Sequence, residues 1–168
     1  MNQAAATTLQ DDIANAFSVQ TDRVFSRNNG QVYAIVSKNP DLKIVSDVWF
    51  DRFDTQRDFR NVLRHIFDLV SDGGCRYWLA DLRFMTSDFG DSGDWLADQF
   101  MPAIFDAGLE REAVVMPTGA LEREGADVFG AATMAIASIA DGRVRGFTDV
   151  QLAKQWLLNG MLPESTDP

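Results

Sequence analysis

One cysteine, one histidine and three lysines in 168 residues leave little room for several kinds of chemistry. Cys75 has no second cysteine to pair with, so there is no internal disulfide, and the expected compartment is a reducing cytoplasm. His65 falls on the polar side of a helical pattern, where it serves no hydroxyl nucleophile as a base. Three lysines, a net charge of −10 and a pI near 4.4 leave no basic footprint for nucleic acid, and the same sign disfavours anionic membranes. The longest uncharged run is 13 residues, Val128 to Ala140, against the roughly 20 that span a bilayer. No basic patch followed by an apolar run marks a signal peptide at the amino terminus. Glycine-rich phosphate loops are missing as well. What remains is 46% hydrophobic and 24% charged, too apolar for wholesale disorder and of a length for one domain.

Hydrophobic spacing divides that domain into elements. Residues 1–21 form an amino-terminal extension in which Leu9, Ile13 and Phe17 share one helical face and Thr8 and Asp11 have capping-box spacing. Three apolar residues cannot hold a helix in water, so it packs on something or frays. From 22 to 50 the period becomes two, with turns at Asn28-Asn29-Gly30 and Asn39-Pro40-Asp41, which predicts an antiparallel meander of two or three strands. Phe59, Val62, Leu63, Ile66, Phe67 and Val70 form a full apolar stripe on a helix capped by Asp54 or Thr55. A strand follows over 77–82, a loop from Arg83 to Asp91, and a helix through Trp95, Leu96, Phe100, Ile104 and Ala107 with a kink or restart at Pro102. Residues 113–116 read as a short buried strand, 120–140 as a helix, and 143–147 as a last strand. A final helix opens with Thr148 and Gln151, buries Leu152, Ala153, Trp156 and Leu157, and closes at Asn159-Gly160. Residues 161–168 read as a loose tail. A meander followed by alternating helices and strands predicts a single-domain α/β fold, a mixed sheet flanked by about four helices.

No motif supplies a reaction. Gly90-Asp91-Ser92-Gly93 resembles the nucleophile segment of trypsin-like proteases, but Ser92 has no base, and Asp94 stands where a nucleophile elbow needs glycine. Asp88, Asp91, Asp94 and Asp98 crowd together without the spacing of a calcium loop, and acidic residues favour a helix start in any case. Asp81 at a strand end has no lysine after a late strand, as a phospho-acceptor receiver requires. The expectation is therefore no catalytic residue, no metal and no cofactor.

The element order, the strand ending in Asp81-Leu82, the stretch from Trp78 to Arg83, Trp95, Pro102 with Gly108, the strand from Val114 to Pro117 and the ending Phe147-Thr148-Asp149 to Trp156-Leu157 resemble the STAS family. Small bacterial proteins of SpoIIAA-like fold are the nearer branch, and the domain so implied covers residues 22–160. In the anti-sigma-factor antagonists of this family, a serine after the Asp-Leu strand end is phosphorylated to break a partner complex. The resemblance implies a non-enzymatic module that binds a protein partner, or a second copy of itself, through Asp81, Arg83, Phe84, Met85, Phe89, Asp91, Ser92 and Trp95. Phe84, Met85 and Phe89 are expected in a loop, which marks a contact or a pocket. The alternative is a small-molecule or lipid carrier, with Phe84, Met85, Phe89, Trp95 and Met116 lining an apolar pocket between sheet and helices. Asp88, Asp91 and Asp94 would repel a phosphate on Ser92, so Ser92 is expected to cap the following helix instead.

Overall fold

The computed structural model describes residues 18–86, 92–117 and 141–161. The chain is α/β, with a six-stranded mixed sheet in the order β1-β2-β3-β4-β5-β6. Strands β1 (Gln20–Ser26), β2 (Val32–Asn39) and β3 (Ile44–Asp51) form the expected meander. Gly30 closes its first turn at φ +86°, a backbone conformation open to glycine, and Gly30 N–H donates to the Arg27 carbonyl at 2.9 Å. In the second turn the Asn39 side chain accepts from Leu42 N–H at 3.0 Å. Strands β4 (Tyr77–Met85), β5 (Arg111–Val115) and β6 (Val144–Phe147) continue the sheet in parallel.

Helix α1 (Gln56–Ser71) buries Phe59, Val62, Leu63, Ile66 and Val70 against one sheet face, as its stripe predicts. Each such side chain contributes roughly 1.5–3 kcal/mol when removed from water. Thr55 is its cap, in a full capping box with Asp58. The Pro102 conflict is resolved by splitting the next helix into a short turn, α2 (Ser92–Trp95), a π-helical turn over Leu96–Phe100, and α3 (Met101–Asp106). Proline then lies just after the π-helical turn, where the ordinary i→i−4 ladder of the helix is already interrupted. Both segments pack on the same face as α1.

Helix α4 (Val150–Met161) lies on the opposite face, over Tyr77, Leu79, Ala113 and Val115. It corrects three expectations. Its cap is Asp149, whose carboxylate accepts from Gln151 N–H at 2.8 Å, in place of Thr148. It runs through Gly160 to Met161, because Gly160 is needed for contact and not for stopping: a Cβ there would lie 2.6 Å from Arg111 Cδ. Leu152 faces water at 55% exposure, since only Ala153 and Leu157 of this helix are fully buried. The expected helical face of Leu9, Ile13 and Phe17, the helix over 120–140 and the tail beyond Met161 lie outside the described residues, in which α1, the run from α2 to α3, and α4 are the helices.

Candidate functional site

The first correction at the site is the strand end. The expected loop begins three residues too early: Arg83, Phe84 and Met85 belong to β4. The pairing with β3 slips between Val48 and Phe50, where two residues of β3 face three of β4 (Val48 opposite Asp81, Phe50 opposite Phe84). Such a bulge breaks the alternation of side chains. Leu82 points into the α1 side, Met85 returns to it at 3% exposure, and Phe84 is turned outward at 53%. Beyond the bulge, Thr86 N–H donates to the Asp51 carbonyl at 2.6 Å and its hydroxyl to the Asp51 carboxylate at 3.0 Å, with Asp51 at φ +50°. Aspartate is among the few residues that tolerate this conformation.

Phe84 is held in place. Its ring stacks on Phe50 at 6.2 Å between centroids and 12° between planes, and the Arg83 guanidinium sits 5.2 Å from its centroid. Arg83 is in turn locked to buried Asp81, with Nε donating at 3.0 Å and Nη2 at 2.8 Å, while Arg83 N–H adds a third bond at 3.1 Å. A bidentate pair of this kind fixes orientation as well as charge.

Charged and polar residues border that stack, with Arg27, Gln31, Asp51 and Arg52 lining a cleft with Phe50 and Val32, and no described helix lies over β1 to β3 on this face. On this face the register aligns Val24, Ile35, Val48, Asp81 and Val115 across β1 to β5. Helix α4 packs over β4, β5 and β6, so Val115 is buried, Val48 and Ile35 are half-buried, and Val24 is 48% exposed. Val32, at the rim, is also exposed.

The remaining expected residues fall on the other side of the sheet. Ser92 is fully buried as the first residue of α2, and its hydroxyl oxygen accepts from Arg60 Nε at 3.1 Å. The Arg60 guanidinium also lies over the Trp95 ring at 4.9 Å, and Trp95 packs on Phe100. That side-chain bond comes from α1, a partner that local sequence could not show. Phe89 and Asp91 lie outside the described residues, as do Asp88 and Gly90. The structure therefore brings Asp81, Arg83 and Phe84 together and separates them from Met85, Ser92 and Trp95. Three open clefts of ≈ 210, ≈ 380 and ≈ 380 Å³ are described, and Phe84, Met85, Trp95 and Met116 line none of them.

Two buried carboxyls escaped the sequence reading. Asp47 is 1% exposed beneath α1 and accepts the indole N–H of Trp49 and, at 2.5 Å, of Trp78. Burial pushes its pKa up to about 7, against the opposing effect of the two indoles. Glu112, opposite Trp78 in the register, is raised well above its ordinary value by burial and then by Asp47. A signal for Asp47 existed, since it alternates with Val45 and Trp49 on one side of β3. Cys75 is buried, and its thiol is pushed up to about 11 by burial, which disfavours the nucleophilic thiolate. Among the described residues no three of His, Cys, Asp and Glu stand together as ligands for a metal ion. Among them, too, no helix is long and apolar enough to cross a membrane.

Charge is distributed unevenly along the chain. Residues 18–65 carry eight Arg or Lys and six Asp, whereas residues 66–168 carry seven and seventeen Asp or Glu. Comparison with protein-family models, with curated proteins and with solved structures returns no match.

Proposed function

We propose that this chain is a non-enzymatic, STAS-like interaction module, and that its binding surface is the sheet face bordered by Phe84, over whose β1 to β3 no described helix lies. The occupant is a second copy of the chain. One observation carries the reading: a strand bulge turns Phe84 out of the core and an Arg83–Asp81 pair and a Phe50 stack hold it there, half-exposed. A side chain fixed by its neighbours yet left in water is an anchor of low entropic cost. Charge favours a second copy on this face. Residues 20–51, which hold β1 to β3, carry four Arg or Lys and four Asp, so two chains of −10 meet there with less repulsion than over the acidic carboxy-terminal part. Two such faces related by a twofold axis are self-complementary, and Arg83 supplies the kind of residue enriched at interface cores.

The STAS-like part of the proposal rests on the sequential parallel order of β3 to β6 after a meander, with Asp81-Leu82 near the end of a central strand. Ser92, buried under Arg60, serves that module as a strut and not as a phospho-switch. The module is proposed to work in the cytoplasm, in keeping with its lone, buried cysteine. Light scattering at micromolar concentration tests the surface. The full chain should have twice the chain mass and Phe84→Asp the single mass, with the far-ultraviolet circular dichroism of a folded chain in both and a lower, concentration-independent melting temperature in the variant. A single mass for the unmodified chain across the range would refute the proposal.

A further inference from the structure

The geometry points to a phosphate-binding cleft between β1 and α1, on the sheet face opposite Phe84. The cleft has a volume of ≈ 380 Å³ and is lined by Arg23, Phe25, Asn61, Arg64, His65 and Asp68. Arg23 comes from β1 and Arg64 from the exposed side of α1, so two guanidinium groups from separate elements border one cavity. Neither forms an ion pair among the described residues, in a chain with ten more acidic than basic side chains.

Of the two acids near them, Asp22 and Asp68, the first is already engaged. Asp22 accepts from Lys38 Nζ at 2.9 Å and from His65 Nε2 at 2.6 Å. Lys38 above all holds the Asp22 carboxyl below its usual range, so it stays ionised toward those two partners. The same contacts fix the cleft wall. His65 is set by Asp22 and by an edge contact with Phe25 at 5.9 Å, and the Arg23 guanidinium lies 4.8 Å above the Phe25 ring. A cation seated on an aromatic face keeps its outward N–H groups free for an anion. Paired guanidinium forks suit the oxygens of a phosphate, with the Asn61 amide as a neutral donor. Asp68, one helical turn beyond Arg64, closes the far end to negative charge and limits the ligand to a compact anion. The ligand class is a phosphate group, free or as a small monoester.

Titration of the full chain with inorganic phosphate, and separately with glycerol phosphate, followed by nitrogen–proton NMR, tests this. Saturable shifts should centre on the Arg23 and Arg64 side-chain Nε–H and the Asn61 amide. Arg23→Gln and Arg64→Gln should each weaken binding about tenfold, as loss of one charge-assisted contact implies. Both positions are exposed, so both variants fold. Saturation by the monoester alone would assign the site to an organic phosphate, and saturation by both to the phosphate group itself. Shifts that never saturate, that chloride reproduces at equal ionic strength, or that persist in the double variant would overturn the inference.

Discussion

Two neighbouring rows of the same sheet, one residue apart along every strand, have opposite fates. The inner row aligns Val36, Asp47, Ala80 and Val114, all buried beneath α1 and its successors. The outer row aligns Val24, Ile35, Val48, Asp81 and Val115, and it passes from exposed to buried only on reaching α4. Residue type does not separate them, since both are mostly valine and alanine or isoleucine with one aspartate. The number of helices per face does. An aspartate inside the inner row must find indole donors and titrates near neutrality, whereas the one in the outer row meets an arginine with access to water. Apolar residues of the outer row over β1 to β3 have no described helix above them, and Val24 is exposed.

The sharpest way to break this comparison is to truncate one residue from each face. Ile66→Ala, beneath the inner row, should cost about 2–5 kcal/mol. Ile35→Ala, half-buried on the outer row, should cost about 1 kcal/mol or less in the isolated chain. Urea denaturation measures both, and equal costs would mean that the outer face is covered after all.

The second prediction concerns pH. Unfolded aspartate ionises near about 4. Asp47 in the fold holds its proton to about 7, so its favourable contribution is complete at low pH and is lost as pH rises through 7. The loss is on the order of 3–4 kcal/mol from that interval. Glu112 acts in the same direction, while Asp22, shifted down, contributes only above its unfolded value. Stability should therefore fall between about pH 4 and pH 7, and Asp47→Asn should flatten the slope. Tryptophan emission should titrate at about pH 7, because Trp49 and Trp78 both donate to Asp47. A pH-independent midpoint of unfolding would contradict this.

Smaller effects follow. Ser92→Ala removes the acceptor of Arg60 and should cost about 1 kcal/mol. Gly160→Ala gains about 1 kcal/mol of helix propensity but pushes aside the flexible end of Arg111, which donates to the Trp156 carbonyl at 3.0 Å. Its net effect on the melting temperature should be near zero.

How far the sequence could carry this account depends on the range of each interaction. The α1 stripe, the Asn28-Asn29-Gly30 turn and the restart at Pro102 are local, and each was readable from a few consecutive residues. The Asp149 cap was misassigned by one residue, as capping patterns often allow two neighbouring candidates. The bulge that exposes Phe84 was not readable, because it is set by the pairing of β3 with β4 and not by β4 alone. Hence Arg83 and Phe84 were placed in a loop although they belong to β4, Asp81 was placed in the strand where it lies, and Met85 is buried on the α1 side, away from Phe84. Ser92's bond to Arg60 spans 32 residues and the Asp47–Trp78 bond spans 31, beyond any local pattern.

The most direct test of the central claim is the distance between two copies across the outer face. A nitroxide on Val24→Cys, with Cys75 buried and unreactive, reports that distance by dipolar spectroscopy. The account predicts a defined short distance in the full chain that disappears in the same protein carrying Phe84→Asp. A signal unchanged by Phe84→Asp, or no coupling in either, would contradict it.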